Sequence, residues 1–501
     1  MTANPECVPV IVGVGQINDR PDNPLEGLDS AQLMAEALRL ADADAGGGWL
    51  ADAGGLAVVQ QISMPALNPC APRVAQALGI DPAQSSDTEL PHGDSPVRLL
   101  DEAAGRIARG ESRIELVTGG EALRTAGARA KAAAAQGGGK AKSALQQATE
   151  SVKQGYRQRY GLTLPTDVYP LYENALRASL GQTLAEGQAE SGAIWSLMSQ
   201  VAAQTPSAWL RRVVSAEEVA QPSADNRPIA HPYTKLMVAN SAVNQGAGFI
   251  VTSLAEARRR GVDVSRLVYV GHGAAAQEPY DFLARANYHS SPSIEVTIRE
   301  AMARNGVATG DLDHVELYSC FPCVPKMARR VLGWPLDKPV TVFGGLTFGG
   351  GPIANYMSHA IACMVEKLRD GGGKGLLFGN GGYATTYHAI VLSAEPFAEA
   401  GSWQDFDCQH IADARRGPVP PLVKDYTGPA TLETWTVHYQ RDGSPRSGTV
   451  VTLTPAGERT LALVAAEDSA MIERLTSGAE DPVGMAGEVV AGEDGLLFWR
   501  G

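Results

Sequence analysis

The 501-residue chain has only six cysteines, four of them isolated, too few and too scattered for a disulfide framework, so they read as reduced thiols. No stretch approaches the ~20 uninterrupted apolar residues of a membrane-spanning helix. The start, MTANPECVPVIVGVG, lacks the basic segment and small-residue cleavage site of a secretory signal. A cytoplasmic protein without a membrane partner is expected. Positive charge is short as well: 42 Lys and Arg against 55 Asp and Glu leave −13, which argues against nucleic acid as principal partner because phosphate binding needs a basic face. Local basic patches could still hold one nucleotide. Gly13-Val14-Gly15 lacks the third glycine and the acidic residue of a dinucleotide fingerprint. Cys320-Phe321-Pro322-Cys323 has the spacing of a redox pair and of half a zinc site, but no second ligand pair stands at zinc-finger spacing, so no metal is expected.

What is present is a globular composition, 44% hydrophobic and 19% charged. The length suits about two to four domains. The run Val8 to Val14 predicts a buried strand of an α/β layer. Ser30 to Leu40 predicts a helix with Leu33, Met34, Ala37 and Leu38 inward, and Gly55 to Ile62 a returning strand. Asn244 to Ser253 and Leu267 to Gly271 read as further strands, and Ser293 to Asn305 as a helix leading to Val315-Glu316-Leu317-Tyr318. Alternation in both halves predicts stacked α/β layers. After Ser393 short strand patterns with turns such as Asp442-Gly443 predict a small β-barrel.

The chain is organised around Pro339 to Leu392, which reads as a short strand, a glycine-rich turn, one long helix, a second glycine-rich turn and a closing strand. Ile353, Met357, Ile361, Met364, Val365 and Leu368 recur at three- and four-residue spacings, so one stripe of the helix is expected to be buried. The entering turn, Gly344 to Pro352, brings bare backbone to a helix N-terminus, where N–H groups favour an anion or a developing oxyanion; alternatively its glycines only let the chain turn sharply. In the first half, His92-Gly93-Asp94-Ser95-Pro96 opens another helix, with Ser95 suited to the cap and Pro96 to the first position. His92 there can serve as acid or base, or be an exposed turn histidine.

With Tyr318-Ser319-Cys320-Phe321 before it, Gly350-Gly351-Pro352 inside it and Gly379-Asn380-Gly381 after it, this frame resembles the thiolase superfamily, most closely its type-1 thiolase-like proteins. The resemblance implies a thiolase-like α/β fold of two similar halves stacked in alternating layers. It adds a helical loop or cap domain and a C-terminal β-barrel, OB-like, that ordinary thiolases lack. The expected divisions are 1–125 for the first half, 126–235 for the cap, 236–396 for the second half and 397–501 for the additional domain. Within the cap, the alanine- and glycine-rich Ala126 to Gln147 reads as a mobile, solvated connection whose Lys140 and Lys142 could meet coenzyme A phosphates. Tyr169 to Leu210 reads as helical.

The catalytic letters depart from the superfamily. His92, Gly93 and Asp94 stand where its nucleophilic Cys-x-Ser is expected, Gly351 where it has the histidine of Gly-His-Pro, and Gly379 where it has the cysteine of Cys-x-Gly. The candidates left for chemistry are Tyr318, Cys320, His92 and Tyr383, with Gly350, Gly351, Gly379 and Gly381 to hold a coenzyme A thioester as substrate rather than as a covalent cofactor. The resemblance implies acyltransferase-like action in lipid metabolism, making or breaking a carbon–carbon bond next to the thioester. Two routes stand open, an acyl-cysteine on Cys320 or a retro-aldol cleavage using Tyr318. Steroid side-chain retro-aldolases of the superfamily likewise lack the acyl-cysteine and look to use tyrosines in comparable positions. A thiolase fold that binds acyl-CoA without catalysis is the third reading, and both monomer and homodimer are open.

Overall fold

The computed structural model describes residues 4–137, 155–397 and 403–501. The apolar start forms β1 (Pro9–Asn18), buried along its first seven residues because helices cover both faces. Helix α1 (Ser30–Asp44) follows, opened by a capping box between Asp29 and Gln32. Next come β2 (Gly55–Val58), α2 (Ala71–Leu78), β3 (Gln84–Asp87), α3 (Ser95–Ala108) and β4 (Ile114–Ala122). After the cap the chain re-enters the layers as β5 (Asn244–Ser253), β6 (Val268–Val270), β7 (Ala274–Gln277), α4 (Pro292–Arg304) and β8 (His314–Leu317). It closes them with α5 (Tyr356–Gly371), β9 (Lys374–Gly381) and β10 (Thr386–Ser393).

The strands run in the order β8-β9-β10-β6-β1-β5-β4-β2-β3, with β7 against β10. Outward from the joint between β1 and β6, where Val10 faces Tyr269 and Ile11 faces Val268, the run β1-β5-β4-β2 mirrors β6-β10-β9-β8, so β5, which follows the cap in the chain, stands among the strands of the first half. That is the pseudo-repeat expected from the two alternating halves. Helices α3 and α5 pack on each other and on strands of both halves. The stripe expected for α5 is therefore too narrow, since every residue from Tyr356 to Val365 is buried. The short strand expected before its glycine turn is absent, and the turn holds a single helical turn at Gly345–Phe348.

The cap contributes two long helices, Pro165–Ser179 and Leu184–Gln204. The alanine-rich connection is helical over Leu123–Gly137, in keeping with alanine's helix propensity; Lys140 and Lys142 lie outside the described residues. The cap is locked to the second half by Lys326, whose ammonium lies 2.5 Å from Glu173 with both side chains buried.

In the C-terminal region, β11 (Gly428–Tyr439), β12 (Pro445–Leu453), β13 (Arg459–Ala465), β14 (Ala486–Ala491) and β15 (Leu497–Arg500) run in the order β12-β13-β15-β14-β11. Pairing of β11 with β12 closes this barrel around Trp435, Val450, Leu461 and Trp499. Its sheet continues into the cap: His438 of β11 pairs with Ala230, and that strand with Tyr233–Thr234. The fully buried Arg459 binds the Glu433 carboxylate at 2.6 Å and the carbonyls of Leu283 and Arg285 at 2.7 Å, tying the barrel to the second half. Among the described residues no helix is long and apolar enough to cross a membrane.

Candidate functional site

The two central helices bring the candidate residues together, because α3 opens against the end of β9. Asp94 takes the cap position, but its carboxylate does not cap the helix. It accepts instead from the Thr386 hydroxyl of β10 at 2.6 Å. Helix α3 begins at Ser95, one residue before the expected start. The approach of the halves is close: a Cβ on Gly379 would stand 2.8 Å from the Asp94 Cα, and one on Gly381 would stand 2.9 Å from the His92 Cβ.

Gly93 is as closely hemmed in. A side chain there would collide with the Tyr318 hydroxyl and the Asn380 carbonyl. The middle of the segment that stands where Cys-x-Ser is expected is thus packed against a phenol. Gly93→Ala is expected to destabilise the fold by about 1–3 kcal/mol through overpacking. Chemical denaturation checks this, and an unchanged midpoint would show that Tyr318 moves aside freely.

Tyr318 follows β8, and its N–H donates to the Phe378 carbonyl at 3.0 Å. The ring is buried and meets Tyr356 edge-on at 5.8 Å. Burial, then Cys320 and Asp94, push its hydroxyl well above the usual phenol range, so it is a protonated donor at neutral pH. Cys320 is buried two residues on, its Sγ accepting from Asn380 Nδ2 at 3.6 Å. Burial pushes that thiol up to about 12. Cys323 is pushed up as well, again by burial. Neither is a ready thiolate. Tyr383 is not brought to this centre: its hydroxyl donates to the Thr163 carbonyl of the cap at 2.6 Å.

Several amides in and beside the entering glycine turn already have protein partners. The amides of Phe343, Gly344 and Gly345 donate to Thr341 Oγ1 at 3.1, 2.9 and 3.1 Å, and the Gly351 amide donates to the Asn240 carbonyl at 2.8 Å. Gly350 holds φ at +106°, and a Cβ on it would meet the Gln245 side chain. Gly379 and Gly381 are paired in register with His388 and Thr386. The glycines therefore serve close approach first.

His92 is half-buried and faces the open side. It lines a cleft of about 600 Å³ with Asp94, Arg98, Tyr280, Thr386 and His388, and its ring centroid is 6.2 Å from that of Tyr280. Among the described residues no three His, Cys, Asp or Glu converge to hold a metal.

Four neighbours were not singled out by motif reasoning. Asn380 Nδ2 bridges the Tyr169 hydroxyl at 3.0 Å and Cys320. His388 Nε2 lies 2.7 Å from the Asp101 carboxylate, both buried; burial pushes Asp101 up while the histidine holds it down. An aspartate beside Val97, Leu100 and Ala104 on a buried helix face was the available signal. His359, one turn into α5, pairs with Gln16 at 2.8 Å and stacks on Phe343, and burial pushes it down to about 3.

The doubled α/β halves, the two enclosed helices and the glycine turns meeting at their ends define a thiolase-type fold, here with His92-Gly93-Asp94 at the entrance of α3. Residues 411–494 match the additional C-terminal domain of thiolase-like protein type 1. A monomeric SCP2-thiolase-like protein type 1 from Mycobacterium smegmatis is 31% identical, with all of both chains covered and a TM-score of 0.83. The chain belongs to this type-1 SCP2-thiolase-like family.

More distant structures share the fold alone. The Ltp2-ChsH2(DUF35) aldolase is 18% identical over 78% of this chain and 98% of its own, with a TM-score of 0.60. Acetyl-CoA acetyltransferase from Syntrophomonas wolfei is 15% identical over 77% of this chain and 99% of its own, with a TM-score of 0.57. No curated protein matches the sequence.

Proposed function

We propose that the protein acts on coenzyme A thioesters without an acyl-cysteine, cleaving the bond between Cα and Cβ of a β-hydroxyacyl thioester in a retro-aldol reaction. The observation that carries this reading is the Tyr318 hydroxyl lying against Gly93, within the His92-Gly93-Asp94 segment that stands where the nucleophilic Cys-x-Ser is expected. His92 takes the β-hydroxyl proton from the side of the cleft. The electrons of the Cα–Cβ bond then pass to the thioester as an enolate. Tyr318, a protonated phenol, donates to the enolate oxygen, and a proton returned to Cα releases the shortened acyl thioester beside an aldehyde or ketone. The likeness to a protein named as an aldolase supports the reaction class, and likeness to an acetyl-CoA acetyltransferase supports the thioester.

The acyl-transfer route through Cys320 is disfavoured because a thiol pushed up to about 12 is protonated at neutral pH. The second reading, a non-catalytic acyl-CoA binder, is favoured by the entering turn, whose amides already have partners. Two measurements separate these. Incubation with β-hydroxyacyl-CoA is expected to release a shortened acyl-CoA, whereas an unchanged substrate that still binds leaves the binder. Incubation with acetyl-CoA is expected to leave the intact mass unchanged; an acetyl group mapped to Cys320 would restore the acyl-enzyme route.

A further inference from the structure

A buried pair on the wall of the His92 cleft is unused by the steps above. Thr386 and His388 stand two apart on β10 and so share one face. Both reach α3. The Thr386 hydroxyl bonds Asp94 at the helix entrance, and His388 Nε2 bonds Asp101, about two turns further on, at 2.7 Å. In the ladder of β9 and β10, His388 lies opposite Gly379, the residue packed against the Asp94 Cα. Phe406 covers the imidazole, with ring centres 4.8 Å apart. Gly273 closes the pair from another side, since a Cβ there would strike both the Asp101 carboxylate and His388 Nε2. Thr386, His388 and Phe406 all line the cleft of about 600 Å³ that holds His92.

The pair is not satisfied in the way a structural one is. Glu173, also buried, engages both oxygens, one with Lys326 and the other with Tyr233. Asp101 engages one oxygen with His388, and its other oxygen is buried without a hydrogen-bond partner. A carboxylate accepting from Nε2–H fixes the tautomer of the ring and leaves Nδ1 as the nitrogen that takes up or gives a proton. Burial pushes the Asp101 carboxyl up, and His388, His272 and Arg304 act against it. Asp94, Arg98 and Asp407 are the further charged groups on the cleft side.

We infer that His388 exchanges the proton at Cα of the thioester, with Asp101 as the residue that positions its ring. This deepens the retro-aldol reading and rests on it, since the last step there needs a donor at Cα. His388 takes a proton from water at Nδ1. The enolate electrons then form the Cα–H bond, the Nδ1–H bond breaks, the thioester carbonyl re-forms and the ring is left neutral. His92 loses the β-hydroxyl proton to water, so the protons balance. In the reverse sense the neutral ring draws a proton from Cα while the electrons of that C–H bond pass to the thioester oxygen.

The test follows exchange of the methyl hydrogens of acetyl-CoA in deuterium oxide by mass, beside cleavage of β-hydroxyacyl-CoA, with the full chain. The parent is expected to exchange them. His388→Gln should lower exchange by about 10²-fold or more, the contribution of one positioned acid or base. His92→Gln should lower cleavage while exchange persists. Asp101→Asn should lower the exchange rate at saturation while the acetyl-CoA concentration for half-saturation holds, a split that a merely loosened fold would not give. Should His388→Gln melt far below the parent, the double variant with Asp101→Asn takes its place, because it leaves no buried charge unpaired. No exchange in the parent, or exchange unchanged in the His388 variant, overturns the inference. Cleavage without His388-dependent exchange counts against this assignment alone. His388-dependent exchange without cleavage counts against the retro-aldol reaction alone and supports the role of the pair.

Discussion

Replacing Tyr318 with phenylalanine is expected to lower β-hydroxyacyl-CoA cleavage by about 10²–10³-fold, the usual cost of removing one donor from a developing oxyanion. The ring stays, and with it the edge-on contact with Tyr356 at 5.8 Å. Only the hydroxyl against Gly93 is lost. Coenzyme A affinity and melting temperature should therefore hold while kcat falls. Cys320→Ser in the same assay should leave turnover near the parent value, because its thiol is pushed up to about 12 and takes no part in the proposed steps. Unchanged turnover in Tyr318→Phe would remove this residue from the mechanism, and a collapse in Cys320→Ser would reinstate the thiol.

The largest stability effect is expected at Lys326. Its ammonium bonds Glu173 at 2.5 Å and the Gly187 carbonyl at 2.9 Å, and Glu173 also accepts from the Tyr233 hydroxyl at 3.1 Å. Lys326→Met strips the positive partner from a carboxylate that is almost completely buried. An uncompensated charge in that position costs about 3–5 kcal/mol. Urea unfolding reads this as a lower midpoint. Adding Glu173→Leu should recover much of the loss, since an apolar pair of similar size carries no desolvation penalty. If the single variant melts with the parent, water reaches Glu173 and the pair is not a sealed one.

The layers were legible because buried strands and helices leave periodic apolar residues: Val8 to Val14, the face around Leu33, and the five short strands after Ser393 all take the predicted form. Where the sequence misleads, a non-local fact decides. Helix α5 shows one stripe in its spacing yet is buried around its circumference, because small Ala360 and Ala362 let sheet strands approach its other side. The glycine turn carries the composition of an anion cradle, but Thr341, which no motif marks, takes its first two amides and that of Phe343 before them. Of the candidate site, Tyr318 and the second glycine turn lie against Gly93, and Cys320 meets that turn at Asn380. Tyr383 does not join them, since the cap carbonyl that captures its hydroxyl is 220 residues away in sequence. Asp101 and His388 were invisible for the same reason, being 287 positions apart and joined only by folding.

The pairing of β11 with Pro228–Ala230 bears on how such a chain can be shortened or rebuilt. A version ending near Ser393 would strip the cap of its hydrogen-bonding neighbour and leave a raw edge, open to pairing with another molecule. It would also leave the carbonyls of Leu283 and Arg285 without the guanidinium that binds them. The last segment is therefore no detachable module. Loss of it by a frameshift or premature stop should yield insoluble product rather than a smaller working protein.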